Sequence, residues 1–266
     1  MPGVTGALDR SPKTIDEGKQ SISIGFGPKL SSSFILLDMV PAFQFNTIYY
    51  QGWSNQKNLY VGLNFVSAET EENTSLNTIP TLIDSTFRTL DYKELNHSQA
   101  FVGLKNGLGR GGHISYFIGT VLTKAPSALG LGGHIGANIG FNNRFFTPYL
   151  TFAAEYNHPL YADWFRDKQG YLEGDQIFST GIVDYRFVPA YEINWGYGFE
   201  SQFANLIPGF CMGFSTQIGI YKTFQQNFRI VESATKEEDN SNFINKLDIS
   251  SEGYTLNGRL YISFAF

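Results

Sequence analysis

Tyr254-Thr255-Leu256-Asn257-Gly258-Arg259-Leu260-Tyr261-Ile262-Ser263-Phe264-Ala265-Phe266 closes the chain. Successive side chains of a β-strand face opposite sides, so the segment separates into two faces. One carries Tyr254, Leu256, Gly258, Leu260, Ile262, Phe264 and Phe266. The other carries Thr255, Asn257, Arg259, Tyr261, Ser263 and Ala265. Alternation of this kind sets a strand between a nonpolar and a polar environment.

The same two-sided pattern recurs upstream. Leu59, Val61, Leu63 and Phe65 oppose Tyr60, Gly62 and Asn64, and Ile114, Tyr116, Ile118 and Leu122 oppose His113, Ser115 and Gly119. Phe146, Leu150, Phe152 and Tyr156 oppose Thr147, Thr151 and Glu155. The longest run sets Tyr185, Phe187, Pro189, Tyr191, Ile193, Trp195, Tyr197 and Phe199 against Arg186, Ala190, Glu192, Asn194, Gly196, Gly198 and Glu200. Phe210, Met212, Phe214, Ile218 and Ile220 complete the set. A helix, with its 3.6-residue period, would scramble all of these faces.

Composition agrees. Aromatic residues make up 16% of the 266 residues and charged residues only 16%, against roughly 25% charged in an average soluble domain. No run approaches the ~20 consecutive apolar residues of a spanning helix, so the apolar medium is met by strands. The net charge of −5 argues against nucleic acid, whose binders present a basic face. The lone Cys211 allows neither an internal disulfide nor a cysteine-rich metal site. Met1-Pro2-Gly3-Val4 shows no basic stretch followed by an apolar run, the segment that an exported bacterial protein carries before processing.

Turn signals sort the connections into two alternating kinds. Gly52 to Gln56, Asn106 to Gly112, Asn142 to Arg144 and Ala204 to Gly209 are short. Pro28 to Ser33, Glu69 to Lys93, Thr123 to Ala128, His158 to Gln176 and Gln225 to Ser251 alternate with them, and three of these are long and polar. Short turns on one side and long loops on the other describe a transmembrane antiparallel up-and-down β-barrel. The expected count is about ten strands, or twelve if Glu69 to Lys93 hides two more. Gln225 to Glu232 and Phe243 to Ser250 read as a hairpin projecting beyond the bilayer. Residues 1–18 lack alternation and read as a flexible periplasmic tail, leaving 19–266 as the barrel. A soluble β-barrel would turn its apolar faces inward, but its surface would then carry far more Lys and Glu than these Gly-, Asn-, Ser- and Thr-rich faces do.

A terminal strand ending in Phe, with Leu260, Ile262 and Phe264 at alternate positions before Phe266, resembles the recognition signal of bacterial outer-membrane β-barrel proteins. The resemblance covers that strand. It implies insertion by the barrel-assembly machinery, residence in the outer membrane beside lipid and lipopolysaccharide, and both termini in the periplasm.

The polar faces nominate Lys105, His113, His134, Glu155, Asp184, Arg186, Glu192, Glu200 and Arg259 as lumen-lining. A barrel of this size has an interior filled by side chains, so salt-bridged packing is expected over an open pore with ion selectivity. Gly130, Gly132, Gly136 and Gly140 share the inward parity around His134, where they relieve crowding. His134 has no partner at metal-ligand spacing, and no metal or cofactor is expected. Acidic residues gather in the long loops: Glu69, Glu71, Glu72 and Asp84; Asp163, Asp167, Glu173 and Asp175; Glu237, Glu238 and Asp239. They match no calcium loop and read as solvated. Tyr49, Tyr50, Trp53, Phe145, Phe146, Trp195, Tyr197 and Phe199 fall near expected strand ends as aromatic girdles at the membrane interface.

Ten-stranded barrels include the omptin proteases, with acidic residues and a His at the outer rim, which by analogy of fold prompts a search for catalytic groups. His158 with Asp163 and His97 with Asp91 do not reproduce that spacing, and Ser115 beside His113 lacks an acidic orienter. No enzyme is expected. The expected role is binding, adhesion or structure through the outer loops, toward another envelope protein or a host ligand. The alternatives are a narrow porin-like channel for ions or small solutes, and a rim hydrolase.

Overall fold

The computed structural model describes residues 12–33, 39–54, 56–68, 79–80, 85–89, 96–108, 113–126, 128–141, 145–162, 165–173, 176–185, 189–203, 207–223, 228–233 and 252–266. Their strands are β1 (Gln20–Ser33), β2 (Met39–Ser54), β3 (Lys57–Ala68), β4 (Ile79–Pro80), β5 (Ser85–Thr89), β6 (His97–Leu108), β7 (Ile114–Ala125), β8 (Ala128–Gly140), β9 (Phe146–Ala162), β10 (Phe165–Glu173), β11 (Gln176–Tyr185), β12 (Ala190–Gln202), β13 (Phe210–Thr223), β14 (Phe228–Ser233) and β15 (Glu252–Ala265). No described residue is helical.

Ten of these strands close a barrel in the order β1-β15-β13-β12-β9-β8-β7-β6-β3-β2, every pair antiparallel. The other five form a second sheet, β14-β11-β10-β5-β4, also antiparallel throughout. Its strands all come from connections at the end opposite Gln20 and Phe266. β4 and β5 lie between β3 and β6, β10 and β11 between β9 and β12, and β14 between β13 and β15.

The register fixes the barrel's dimensions. From Ala265 the cross-strand partners run through Ser21, Tyr50, Tyr60, Gly103, Gly119, His134, Glu155, Glu192 and Tyr221, and return to β15 at Gly253. The stagger from Ala265 to Gly253 is 12 residues. With strands about 4.8 Å apart and a rise of about 3.3 Å per residue, ten strands at that stagger tilt by about 40° around a backbone cylinder about 20 Å across. Side chains from opposite walls of such a cylinder meet.

The seam is tied at the termini. Gln20 N donates to Phe266 O and Phe266 N to Gln20 O, both at 2.9 Å, and Ala265 N donates to Gly209 O at 2.9 Å. Along β1 and β15 the ladder is interrupted at Gly27 and Pro28, as expected where proline supplies no N–H.

Burial follows the alternation read from sequence. Leu59, Val61, Leu63, Phe65, Ile114, Tyr116, Ile118, Leu122, Leu150, Phe152, Ile193, Leu256, Leu260 and Ile262 are exposed on the outer wall. Their neighbours Tyr60, Asn64, Ser115, Thr151, Asn194, Asn257 and Arg259 are buried inside. The barrel is therefore apolar outside and largely polar inside, with its backbone groups paired in a closed ladder. The two rims differ. Trp53, Phe141, Phe145, Phe146, Phe203 and Phe266 are exposed at the short-turn end, while Tyr156, Tyr161 and Tyr254 are exposed toward the other.

Ten barrel strands match the expected count, and the two-strand surplus of Glu69 to Lys93 goes to the second sheet. Four assignments need correction. Pro28 to Ser33 is not a connection but the end of β1. His158 to Gln176 is mostly strand, in β9 and β10. The long run from Tyr185 to Phe199 is two elements: Tyr185 ends β11, and the barrel strand begins at Ala190. Residues 228–233 of the expected hairpin pair with β11, whereas residues 243–250 lie outside the described residues. Three of these errors share a cause. Alternation identifies strands but does not say which sheet a strand joins.

Boiling should shift the gel mobility of the detergent-folded chain, whose circular dichroism should be β-rich. Leu63→Arg, near the middle of the outer wall, should destabilise the barrel in lipid by about 2–4 kcal/mol in urea titrations. A cost near zero would mean that this wall does not face hydrocarbon.

Candidate functional site

The barrel interior and its turn-side mouth hold the buried chemistry. Charged side chains of both signs are enclosed: Lys29, Lys105 and Arg259 with Glu155, Glu192 and Glu200, none more than 5% exposed. A buried charge is tolerated only when paired and hydrogen-bonded, and these three cations and three anions carry no net charge together.

Inward apolar residues form a cluster on one side of the lumen, with Ile48, Tyr50, Tyr60, Phe101, Phe117, Val121 and Ala153 packed together. His134 sits within it, its ring centroid 5.9 Å from Tyr60, 6.2 Å from Phe101 and 6.3 Å from Phe117. The Tyr60 hydroxyl shares a 2.6 Å hydrogen bond with His134 Nε2. Large side chains reach this far because small ones face them. Phe117 lies over Gly136 and Tyr261 over Gly213, where a Cβ would overlap the rings. The crowding expected around Gly136 is thus what the wall shows.

Toward the loop side the interior becomes a polar network. Asn64 Nδ2 donates to Gln99 Oε1 at 3.0 Å, Gln99 Nε2 donates to Glu155 Oε1 at 3.2 Å and to Thr123 Oγ1 at 3.3 Å, and Asn157 Nδ2 donates to Thr123 Oγ1 at 2.6 Å. On the facing wall Thr255 Oγ1 donates to Glu192 Oε1 at 2.7 Å. Toward the turn side, Tyr261 donates to Glu200 Oε2 at 3.0 Å, and the Arg259 guanidinium lies 4.6 Å from the centre of the Tyr261 ring.

The mouth at the turn end is crossed by residues 12–19. Gly18 N donates to Gly52 O and Gly52 N to Lys19 O, while Lys19 N closes a turn on Asp16 O. Ile15 packs against the apolar cluster, and Pro12 is buried. Between this segment and the wall lies a cavity of about 240 Å³, lined in part by Lys13, Lys105, Glu200 and Cys211. Burial holds the Lys13 ammonium below its ordinary pKa, an effect that Glu200 and Cys211 oppose. Residues 12–18 therefore do not form a loose tail, and residues 1–11 lie outside the described residues.

Of the residues nominated for the lumen, Lys105, His134, Glu155, Glu192, Glu200 and Arg259 are buried on inward positions. His113 is exposed at the start of β7, its Nδ1 3.1 Å from Gly140 O, because the wall ends there. Asp184 belongs to β11 of the second sheet, opposite Arg166 and Arg229, and not to the barrel. Arg186 lies outside the described residues. Among the girdle aromatics, Trp53, Phe145 and Phe146 are exposed at the turn end and Phe199 lies nearby, 5.3 Å from Phe146. Tyr49 is half-buried and donates to Gln51 Oε1 at 2.7 Å. Tyr50 points inward, 2% exposed, with its ring 6.0 Å from that of Tyr60. Trp195 and Tyr197 are exposed but lie mid-strand, Trp195 opposite Phe152 and Ile218. Leu260, Ile262, Phe264 and Phe266 are exposed along one face of the last strand.

Neither His and acid pair lies wholly among the described residues. His158 is exposed against Tyr156, with Asp163 outside the described residues, and His97 is buried, with Asp91 likewise outside. Ser115 is buried inside while His113 is exposed. No group of three His, Cys, Asp or Glu among the described residues suits a metal. Sequence reading missed the cluster of Ile48, Phe101, Phe117 and Val121 and the docked segment. Apolar residues on the otherwise polar parity were the available signal for the cluster.

No family model and no curated protein matches the chain. Solved structures do. The outer membrane protease OmpT from Escherichia coli aligns with a TM-score of 0.51 at 9% identity, over 96% of this chain and 100% of that one. Neisserial surface protein A aligns with a TM-score of 0.38 at 8% identity, over 94% and 100%. The attachment invasion locus protein Ail of Yersinia pestis aligns with a TM-score of 0.30 at 12% identity, over 92% and 99%. The fold is that of the outer-membrane β-barrels, and likeness at this level of identity speaks to fold alone.

Ile15→Asp should release the mouth segment by placing a carboxylate against apolar side chains, at a cost of about 1–3 kcal/mol. Trypsin should then cut at Lys13 and Lys19 in the folded variant faster than in the wild type. Gly213→Val should cost about 1–3 kcal/mol through overpacking against Tyr261. Unchanged unfolding midpoints would contradict the packing.

Proposed function

We propose that the chain is an integral protein of a bacterial outer membrane, with short turns and termini in the periplasm, and that it works by binding through the opposite end. The observation that carries this reading is the second sheet. Three separate connections contribute strands to one hydrogen-bonded surface, β14-β11-β10-β5-β4. Pairing holds these connections in one fixed surface, and functional groups concentrate on loops held by a rigid scaffold. The partner is another envelope protein or a host ligand, the wall contacts lipid and lipopolysaccharide, and insertion proceeds through the barrel-assembly machinery at the strand ending in Phe266. The reading includes no catalytic step.

A second reading, a narrow channel, is favoured by one feature, the cavity behind residues 12–19. In that case the segment is a stopper and the polar interior is the path.

Planar-bilayer recordings separate the two. Silence from the wild type and from a chain lacking residues 12–18 supports binding, whereas steady conductance from the shortened chain supports the channel. Replacing residues 163–188 by a short Gly-Ser turn should preserve the heat-modifiable mobility while reducing retention of displaying cells on an epithelial monolayer or on immobilised lipopolysaccharide. Equal retention on both surfaces would overturn the binding reading.

A further inference from the structure

The loop-side half of the lumen carries a local excess of acceptors. Glu155 and Glu192 are cross-strand neighbours on β9 and β12, 2% and 1% exposed. Side chains in such a pair leave the wall about 5 Å apart. They diverge: Glu155 reaches Gln99, and Glu192 reaches across β13 to Thr255. Among the described inward residues at this depth, Lys29 is the one lysine or arginine against these two carboxylates.

The convergence point is Gly219 on β13. Asn194 and Thr255 are its direct register partners on the two flanking strands. Where a Cβ would stand, Glu192 Oε1 lies at 2.8 Å, and Asn194 Oδ1 and Thr255 Oγ1 lie closer still. Three oxygens from three side chains thus gather over one bare Cα. The Thr255 hydroxyl proton is already directed to Glu192 Oε1. Glu192 Oε2 is buried and accepts no hydrogen bond, and the buried Asn257 Oδ1, two residues along β15 from Thr255, likewise accepts none. A buried carboxylate oxygen without a donor is costly. A cluster of carboxylate, amide carbonyl and hydroxyl oxygens is what a hard cation of the Ca²⁺ class selects.

We propose that Glu192, Asn194 and Thr255, brought together over Gly219, form a binding site for a hard, oxygen-preferring cation inside the barrel. The role of glycine here is spatial, since any side chain at position 219 would occupy the convergence point. The site is separate from the acidic loops, so a cation held here fastens β12 to β15 across β13.

The test is Ca²⁺ titration of the full, detergent-folded and chelator-treated chain at low salt, read as the thermal unfolding midpoint. Ca²⁺ should raise the wild-type midpoint, because a ligand bound only by the folded state stabilises it by mass action. Glu192→Gln should abolish the rise while keeping the heat-modifiable mobility. Thr255→Val, which leaves the charge unchanged, should shift the titration to roughly tenfold higher Ca²⁺ or beyond. It decides the matter if Glu192→Gln does not fold. No rise in the wild type would overturn the proposal. So would an undiminished rise in Glu192→Gln, which would assign the binding to the loop carboxylates, or an unshifted titration in Thr255→Val.

Discussion

Closure is the constraint on which everything else depends. A chain facing hydrocarbon cannot leave backbone N–H and C=O groups without partners, since each costs several kcal/mol, so its first and last strands must find each other. Here β1 and β15 do so, and Gln20 and Phe266 exchange a pair of backbone hydrogen bonds at the join. Once ten strands close with a stagger of 12 residues, the diameter is set, and with it the room available to inward side chains. Glycines opposite Phe117 and Tyr261, the enclosed His134 and the balanced charges all answer to that width.

Within that width the interior divides by chemistry. One wall packs aromatic rings around His134, tilted or edge-on to it, and the facing wall of β12, β13 and β15 holds hydroxyls, amides and carboxylates. The docked residues 12–19 extend the apolar side across the mouth through Ile15. Filling of this kind accords with the expectation that small barrels pack their interiors with side chains.

Much of the wall was legible in the sequence because a period of two is a local property, visible without knowing any strand's neighbour. Leu260 and Arg259 could be assigned to opposite faces from their own segment. Tyr50 could not, because an aromatic near a strand end suits either the interface or the lumen, and the packing of Tyr60 decides it. Asp184 failed for another reason. It alternates correctly, but it alternates in β11, whose partners β10 and β14 belong to the second sheet. Residues 12–19 escaped because a segment held by Gly52, the apolar cluster and the mouth cavity has no period to display.

The second sheet has a mechanical consequence. Its five strands spring from three gaps in the rim, between β3 and β6, β9 and β12, and β13 and β15, so their hydrogen bonds join two neighbouring connections and a third that lies beyond the turn between β7 and β8. A tilted cylinder of strands flexes most easily by ovalising, and a strut joined to its rim at three places resists that mode. Lengthening one of these connections would therefore alter more than a surface loop, because its strands belong to one hydrogen-bonded sheet with strands from the other two.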